Sequence, residues 1–476
     1  MKEFGTILLV SCYELGHQPF HLASLSAMLQ LAGYQPRCVD AAVEPLTDET
    51  INSAYFVAIS VPMHTALRLG EQIARRVRAI NPQAHICLYG LYASLNAKYL
   101  LEDVVDSTIG GEYEIPLLRL VQALEQGNTS PIAGVQTRDN LSGPWIERTP
   151  FLVPERKHLP ELTEYAHLQQ NGDCRLAGYT EATRGCKHTC RHCPITPIYN
   201  GRFFAVPADI VLADIRTQVE RGAQHITFGD PDFWNGPTHA LRIVHRMHQE
   251  FPALTFDATI KIEHLLKHRH LLPEFKDSGC LFVVSAVESL NDNVLQHLAK
   301  DHTAADVVEA FALMEQTGIA LRPSLLPFTP WETLESYIEL LDFFEARHLI
   351  EHIDPVHLSI RLLVPPGSAY LSIPDSQQWI GELDPAAYSY QWQHPDPRMD
   401  ALQAKVAYLV SEAENTGADP LLTFLQVKEL ALKMQGQRYS VFRALRAYGP
   451  QKAIPHLSES WFCCAEPTLP RGQRGL

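Results

Sequence analysis

Short apolar, β-rich runs alternate with helical patterns over two long stretches of this chain, and that alternation constrains its fold more than any other feature. In the first stretch the runs are separated by helical patterns such as 22–32 and 66–80. This rhythm predicts a parallel sheet with helices on both faces, so residues 1–125 are interpreted as an α/β, doubly wound, Rossmann-like domain. Ligands of such sheets lie at the carboxyl ends of the strands. The predicted strands are residues 7–10, 37–40, 56–60, 86–89 and 104–109.

A second series of strand and helix patterns begins near Tyr179, after a stretch rich in Pro and Gly. Residues 126–178 are therefore predicted to form an extended linker, and residues 179–370 a partial (β/α)6 barrel with its chemistry at the strand carboxyl ends. Residues 371–476 become irregular and then helical, and they end in a tail for which no element is predicted. The further barrel strands are predicted at 225–228, 255–260, 281–286, 320–325 and 357–363.

The charge balance and the amino-terminal residues restrict the partners and the compartment. The chain has 39 Lys and Arg against 54 Asp and Glu, a formal net charge of −15. Because phosphate binding needs clustered cations, this balance disfavours a nucleic-acid partner. No run of about 18 uncharged apolar residues occurs, which argues against a membrane span. The amino terminus lacks the features of a signal peptide, so the cytoplasm is the expected compartment.

Three of the ten cysteines form the pattern Cys-x3-Cys-x2-Cys at Cys186, Cys190 and Cys193. In a reducing compartment, clustered cysteines indicate a metal site or a redox group. A structural zinc site prefers four ligands in paired spacing, and within this loop only His188 or His192 could supply the fourth. Three thiolates instead fit a 4Fe-4S cluster in which one iron has no protein ligand. An open iron can chelate a substrate or cosubstrate, as an open zinc position does.

The cysteine pattern and its place after the first barrel strand resemble the radical S-adenosylmethionine (SAM) superfamily. That resemblance implies that the amino and carboxylate groups of SAM bind the open iron, and that an electron from the cluster cleaves the sulfonium. It also implies an electron donor such as flavodoxin or ferredoxin and a small-molecule substrate. By the same resemblance, the turn 229–232 holds the SAM amino group, and the segments 285–289 and 300–303 approach its ribose and carboxylate. The cofactor-binding residues expected there are Gly229, Asp230, Asp232, Ser285, Glu288 and Lys300.

The order of the predicted domains resembles the cobalamin-binding subclass of the same superfamily. Gly110, Gly111 and Glu112 follow the last strand of the first domain, match a turn of that subclass and are the cofactor-binding residues it implies. No Asp-x-His-x-x-Gly motif is present, so that motif supplies no histidine to cobalt. Two glycines at a strand end would let backbone amides approach a phosphate or the corrin edge. The alternative is a Rossmann-like scaffold without the cofactor.

Two adjacent cysteines, Cys463 and Cys464, lie in the tail within the run Ser-Trp-Phe-Cys-Cys-Ala-Glu-Pro. This run resembles the tail of the CUAEP/CCAEP radical SAM proteins, some of which carry selenocysteine at the position of Cys464. Two neighbouring thiolates can bind one thiophilic centre, so the pair is a candidate catalytic group for arsenic or selenium chemistry. The alternatives are a vicinal disulfide that relays electrons, a ligand to an auxiliary metal, and an inert exposed tail.

Together these features predict a radical SAM enzyme, a transferase that passes a SAM-derived carbon group to a small substrate, with arsenic or selenium as the acceptor. One alternative is cobalamin-dependent methylation of an unactivated carbon. A methylthiotransferase acting on tRNA is disfavoured by the acidic charge. An alternative of another class is a non-catalytic cobalamin or metalloid sensor, which would bind these ligands without cleaving SAM.

Overall fold

A computed structural model describes residues 5–449, 451 and 453–459 of the chain. Its amino-terminal part alternates strands and helices, as the sequence predicts. The strands are β1 (Thr6–Ser11), β2 (Arg37–Asp40), β3 (Ala54–Ser60), β4 (His85–Tyr89), β5 (Ser107–Ile109) and β6 (Val135–Gln136). The helices are α1 (Phe20–Leu31), α2 (Asp48–Ser53), α3 (His64–Ile80), α4 (Leu91–Leu95), α5 (Ala97–Leu100) and α6 (Glu114–Gln126).

In the described residues these strands form one sheet in the order β2-β1-β3-β4-β5-β6, and all but β6 are parallel to their neighbours. The order reverses between β1 and β3, which is the topological switch point of a doubly wound sheet. Leu8 and Val10 enter one core together with α3, whereas Ile7 and Leu9 enter the opposite core with α1 and α6. Both faces are therefore buried, which explains why the strands read as continuous apolar runs.

The middle of the chain carries the second series of strands and helices. The strands are β7 (His167–Gln170), β8 (Asp173–Thr180), β9 (Thr183–Gly185), β10 (Phe203–Ala205), β11 (His225–Phe228), β12 (Thr255–Thr259), β13 (Cys280–Glu288) and β14 (Ala320–Leu325). The helices are α7 (Thr196–Tyr199), α8 (Ala208–Glu220), α9 (Pro237–Glu250), α10 (Ile262–Lys267), α11 (Leu272–Asp277), α12 (Asp292–Leu298), α13 (Ala304–Thr317) and α14 (Leu334–Ala346).

The carboxyl-terminal part is mainly helical and closes with a two-residue strand. Helices α15 and α16 pack on the outer core of the second sheet through Val406, Phe424 and Leu425. The elements are β15 (Ile380–Asp384), β16 (Ser389–Trp392), α15 (Pro397–Thr416), α16 (Pro420–Met434), α17 (Val441–Tyr448) and β17 (His456–Leu457).

The second sheet, in the part of the chain that is described, has the order β14-β13-β12-β11-β8-β7-β17. Strands β8, β11, β12, β13 and β14 run parallel, whereas β7 and β17 are antiparallel to their neighbours. Right-handed βα connections place the helices on its outer face, where Phe256, Val283 and Leu321 pack against them. The predicted α/β architecture, a Rossmann-like sheet followed by a partial barrel, is confirmed.

The predicted sixth barrel strand, residues 357–363, is not a strand in the structure. Pro355–Leu358 forms a 3-10 turn, and among the described residues a single bridge between Phe328 and Arg361 continues the sheet there. His357 and Leu358 are fully buried. An apolar run in the sequence indicates that a segment is buried. It does not show whether the backbone of that segment forms the hydrogen bonds of a β-strand.

Two segments without a helical or strand pattern of their own nevertheless pair with the sheets. The stretch 126–178, expected to be an extended linker, supplies β6 to the first sheet and the β7–β8 hairpin to the second. The tail, for which no element was expected, supplies β17, in which Leu457 pairs with Leu168. A strand of two to four residues is too short to show an alternation of apolar and polar residues. It is recognised only by its hydrogen bonds to the neighbouring strand.

Candidate active site

One cavity lies where the carboxyl ends of the strands of both sheets meet. From the first sheet it receives the residues that follow β1, β3, β4 and β5, on either side of the switch point. From the second sheet it receives the mouth of the barrel. The lining residues of the first sheet are Glu14, Leu15, His17, His21, Pro62, Met63, Gly90, Leu91, Gly111 and Tyr113. Those of the second sheet include Tyr179, Thr183, Gly229, Asp230, Asp257, Ala286, Arg322 and Asp354.

The three cysteines of the loop lie beside this cavity and are free thiols. Cys186 and Cys190 are buried and Cys193 is half-buried. Gly185, which precedes the loop, lines the cavity with a φ of +76°, and a Cβ there would lie 2.5 Å from the Tyr199 ring. Glycine is thus required at the entry of the loop. Three clustered sulfur donors without a disulfide fit the ligand set of a 4Fe-4S cluster, so Cys186, Cys190 and Cys193 are the residues that would hold it.

The cysteine loop is fixed by groups from the barrel. The Lys187 N–H donates to Asn235 Oδ1 over 3.2 Å, and the same oxygen lies 3.7 Å from Cys186 Sγ. The Arg191 N–H donates to the Leu298 carbonyl over 3.0 Å. Thr196 Oγ1 donates to the Cys190 carbonyl over 2.8 Å. These contacts hold the backbone of the loop, so the three sulfur atoms lie on one short, fixed segment.

Two of the residues expected to bind SAM line the cavity. A Cβ on Gly229 would lie 1.8 Å from the Tyr179 hydroxyl, so only glycine fits between this turn and the barrel wall. Asp230 is buried and accepts hydrogen bonds from the Ala182 N–H and the Thr183 hydroxyl. Burial raises the pKa of Asp230 to about 7. Both residues therefore stay predictions for the SAM site, with Asp230 also joining the turn to β9.

Asp232, the third residue expected in that turn, points away from the cavity lining. Its side chain is fully buried, and its carboxylate lies between the rings of His188 and His264. The pKa of Asp232 is lowered, since the two imidazoles beside its carboxylate outweigh the effect of burial. Asp230 and Asp232 therefore have different surroundings, although only Pro231 separates them.

The segment expected to approach the ribose and carboxylate of SAM is divided by strand alternation. Val284 and Ala286 line the cavity, whereas Ser285 lies between them on the other face of β13. Glu288, at a φ of +66°, contacts Lys300 at 3.1 Å and His192 at 3.2 Å. Burial by itself would raise the pKa of Glu288, but the Lys300 ammonium and the hydrogen-bonding His192 ring lower it to about 2.

The turn expected to bind cobalamin contributes one residue to the cavity lining, Gly111. Gly110 is packed so that a Cβ would lie 2.3 Å from Ser94 Cβ. Glu112 is fully buried and is bonded to Tyr199 at 2.8 Å and Arg184 at 3.3 Å. Burial raises the pKa of Glu112 to about 7. Glu112 therefore connects the turn after β5 to Arg184, which precedes the cysteine loop.

Three lining groups were not singled out from the sequence. His17 follows β1 and enters the barrel, where its ring lies 4.6 Å from that of Tyr179. Burial lowers the pKa of His17 to about 4. On the barrel side, the buried Arg322 forms an ion pair at 2.6 Å with the half-buried Asp354. A lone histidine in a loop and an Arg inside a strand carry no spacing pattern, so only the tertiary structure reveals them.

The tail cysteines, Cys463 and Cys464, lie outside the described residues. The last described segment before them reaches the cavity, since Leu457 and Glu459 are among its lining residues. The Tyr13 hydroxyl donates to Glu459 over 3.3 Å. The described part of this segment therefore reaches the wall of the cavity at Glu459.

A three-thiol loop at the mouth of a partial barrel defines a radical SAM domain, and comparison with known families agrees. Residues 180–344 match the model of the Radical SAM superfamily. Residues 180–344 thus form a radical SAM domain, and the expected 4Fe-4S cluster and SAM are the cofactors that such a domain implies. Among the described residues, no helix combines the length and the hydropathy needed to cross a membrane.

Particular relatives extend this likeness over the amino-terminal sheet. An uncharacterized methyltransferase of Pyrococcus horikoshii is 22% identical over 339 residues, 68% of this chain and 72% of the relative. A solved structure of the cobalamin-dependent SAM radical enzyme OxsB with aqua-cobalamin has a TM-score of 0.70 at 14% identity, covering 92% of this chain and 74% of OxsB. The radical SAM methyltransferase TsrM from Kitasatospora setae, with tryptophan and a SAM analogue, has a TM-score of 0.65 at 15% identity, covering 85% and 89%. These likenesses establish a common fold.

Proposed function

We propose that this protein is a cobalamin-dependent radical SAM enzyme that transfers a SAM-derived methyl group to a small molecule. The observation that carries the proposal is the single cavity, which joins the switch point of the first sheet to the barrel mouth beside the cysteine loop. A switch point is where a doubly wound sheet binds its ligand. OxsB and TsrM, which share the fold, are described as cobalamin-dependent and as a methyltransferase respectively.

The cavity wall on the side of the first sheet fits a large, flat ligand. Gly90 and Gly111 present backbone without a side chain, while Pro62, Met63 and Leu91 supply apolar surface. No lining residue there is a lysine or arginine, among the described residues. When bound, the cluster supplies the electron that cleaves SAM, and cobalamin supplies a carrier for a methyl group. The Rossmann-like domain would thus hold the corrin, and the barrel the SAM and the substrate.

The chain's own side chains define the space left for the substrate. His17 is neutral at pH 7, because burial lowers its pKa to about 4, so its ring can both donate and accept a hydrogen bond. The ion pair Arg322–Asp354 offers hydrogen-bond donors and acceptors on the barrel side. A small polar molecule therefore matches this cavity better than a wholly apolar one. An electron donor such as flavodoxin or ferredoxin completes the proposed reaction.

The test uses full-length protein from cobalamin-supplied cells, reconstituted anaerobically with iron and sulfide. We expect about four irons per chain and a base-off cobalamin spectrum, since no histidine motif for cobalt is present. Leu91→Trp, which fills the wall of the first sheet, should lose cobalamin and keep its iron. Leu31→Trp, at a position that is 71% exposed, should keep both. Wild-type protein that is colourless after cluster removal would contradict the proposal.

A second candidate function concerns the tail, because Leu457 and Glu459 line the same cavity. Cys464 is five residues beyond Glu459, and an extended chain of that length spans at most about 18 Å. The CUAEP/CCAEP resemblance and this proximity support a role in which Cys463 and Cys464 bind a soft acceptor such as As(III). The carbon group from SAM would then pass to arsenic or selenium.

This second candidate is tested with Cys464→Ser, which replaces a soft thiolate by a hard hydroxyl of similar size. We expect full iron content and continued SAM cleavage, together with loss of arsenite binding and of product. Cys174→Ser is the matched control, since Cys174 is an exposed free cysteine far along the sequence from the tail. Equal product from both variants would show that the tail pair takes no part.

A further inference from the structure

A second set of metal-ligating side chains lies beside the cysteine loop. His188 belongs to that loop, Asp232 to the turn after β11, and His264 to α10. His188 Nε2 and His264 Nδ1 lie 3.2 and 2.7 Å from the same oxygen, Asp232 Oδ2. One donor atom from each residue lies within 4.8 Å of the other two. Two histidines from segments distant in sequence thus approach one carboxylate oxygen, Asp232 Oδ2.

His264 is the unusual member of this set. Its side chain is fully buried, yet neither ring nitrogen makes a hydrogen bond with the described residues. Leaving a buried polar group unpaired costs about 1–3 kcal/mol, so such a ring calls for a partner. The 2.7 Å approach of Nδ1 to Asp232 lacks hydrogen-bond geometry. His264 Nδ1 and Asp232 Oδ2 thus approach each other without a hydrogen bond between them. This arrangement suits two ligand atoms of one shared metal ion.

The surroundings of the set are those of ligands held in place. Asp232 Oδ1 accepts the Trp234 N–H over 3.0 Å, which fixes the carboxylate and turns Oδ2 toward both imidazoles. On the other side of His188, Nδ1 lies 3.8 Å from a Glu263 oxygen. At this distance Glu263 adds negative charge near the His188 ring without a hydrogen bond to it.

We propose that His188, Asp232 and His264 bind one divalent transition-metal ion, with zinc as its representative, at a site separate from the iron–sulfur cluster. Two imidazoles and one carboxylate are a common three-ligand set for zinc, with metal–ligand distances of about 2.0–2.2 Å. Donors of one ion are then about 3 Å apart, close to the observed contacts. Binding releases the proton that His188 Nε2 shares with Asp232. The ion ties the cysteine loop to the β11 turn and to α10.

The experiment uses full-length, cluster-reconstituted protein that is stripped with a mild chelator, incubated with zinc and desalted. We expect one zinc and about four irons per chain in the wild type, and a higher melting temperature with zinc than without it. His264→Gln should lose the zinc and its thermal effect while keeping the iron. The matched control is His268→Gln, one helical turn further on and outside the set.

Measuring iron and zinc separately distinguishes failure of this proposal from failure of the proposed function. The cluster and the zinc site have different ligands, so a variant can lose zinc and keep its iron. Asp232→Asn serves as a second variant if His264→Gln does not fold. X-ray absorption of the zinc-loaded wild type should show nitrogen and oxygen neighbours only. Wild-type protein without zinc, equal zinc in wild type and His264→Gln, or zinc–sulfur distances of about 2.3 Å would each overturn the proposal.

Discussion

At the scale of single residues, the chemistry depends on thiols kept reduced and adjacent. Cys186, Cys190 and Cys193 share one loop whose backbone is bonded to Asn235 and Leu298, and none of the three is in a disulfide. Their spacing was sufficient to predict the site, because three ligands within eight residues must converge whatever the rest of the fold does.

Cys190→Ala is expected to abolish the cluster, since two thiolates cannot hold a 4Fe-4S cube whose fourth iron is already open. Iron analysis should fall from about four per chain to near zero, and SAM cleavage should be lost. Cys174→Ala, at an exposed position outside the loop, should retain both. Normal iron content in Cys190→Ala would contradict the ligand assignment.

A second residue-scale prediction concerns Asp40 at the end of β2. Burial raises its pKa to about 7 from 3.8, and the Tyr165 hydroxyl donates to it over 2.9 Å. Folding therefore takes up a proton between about pH 4 and pH 7, and this contribution to stability is lost as the pH rises through 7. Asp40→Asn should remove that loss.

Urea unfolding at pH 5 and pH 8 measures the effect. The free energy of unfolding of Asp40→Asn, relative to wild type, should be higher at pH 8 than at pH 5, by an amount on the order of 1 kcal/mol. A difference that does not change with pH would mean that Asp40 is ionised throughout.

At the scale of elements, long strands and helices followed the sequence pattern and short or marginal ones did not. Strands β1, β3 and β4 were predicted because both of their faces are buried. The region 357–363 was expected as a strand on the same grounds, but it begins at the end of a 3-10 turn and joins the sheet through a bridge at Arg361. Strand β17 was missed, since two residues have no period.

The β17 strand leads to a prediction of its own. Leu457 packs against a small core formed by Leu168, Phe282 and Val284, and it also lines the cavity. Leu457→Ala should lower the free energy of unfolding by about 1 kcal/mol and should reduce product formation more than iron content. Leu445→Ala, at a position that is 38% exposed on α17, is the control and should change neither. Unaltered product yield would show that β17 does not contribute to the site.

At the scale of the whole molecule, one buried arginine joins the two sheets. Arg184, next to the cysteine loop, is bonded to Glu114, Glu112 and Ser24 of the amino-terminal part. Arg184 also lies near Glu181 at 3.4 Å. Removing one partner of a buried ion pair leaves the remaining charges without compensation. The amino-terminal sheet thus helps to position the loop that precedes the cluster.

Arg184→Met is expected to destabilise the protein by about 3–5 kcal/mol, because Glu112 and Glu114 then stay buried without a cation. Calorimetry should record a lower unfolding temperature, with the two sheets unfolding in separate steps. Arg216→Met removes an exposed pair with Glu250 and should have little effect. A wild-type calorimetric trace for Arg184→Met would contradict this coupling.

The sequence by itself determined the α/β class, the strands with two buried faces and the cysteine loop, because these depend on local periodicity and local spacing. Only the tertiary structure decided which predicted residues face the cavity: Gly229, Asp230 and Gly111 do, whereas Asp232 and Glu112 are bonded elsewhere. It also brought in His17 and His264, which have no motif around them. The physical reason is that the direction of a side chain in a turn follows from the backbone conformation and its neighbours, and neither is contained in the spacing of residues along the chain.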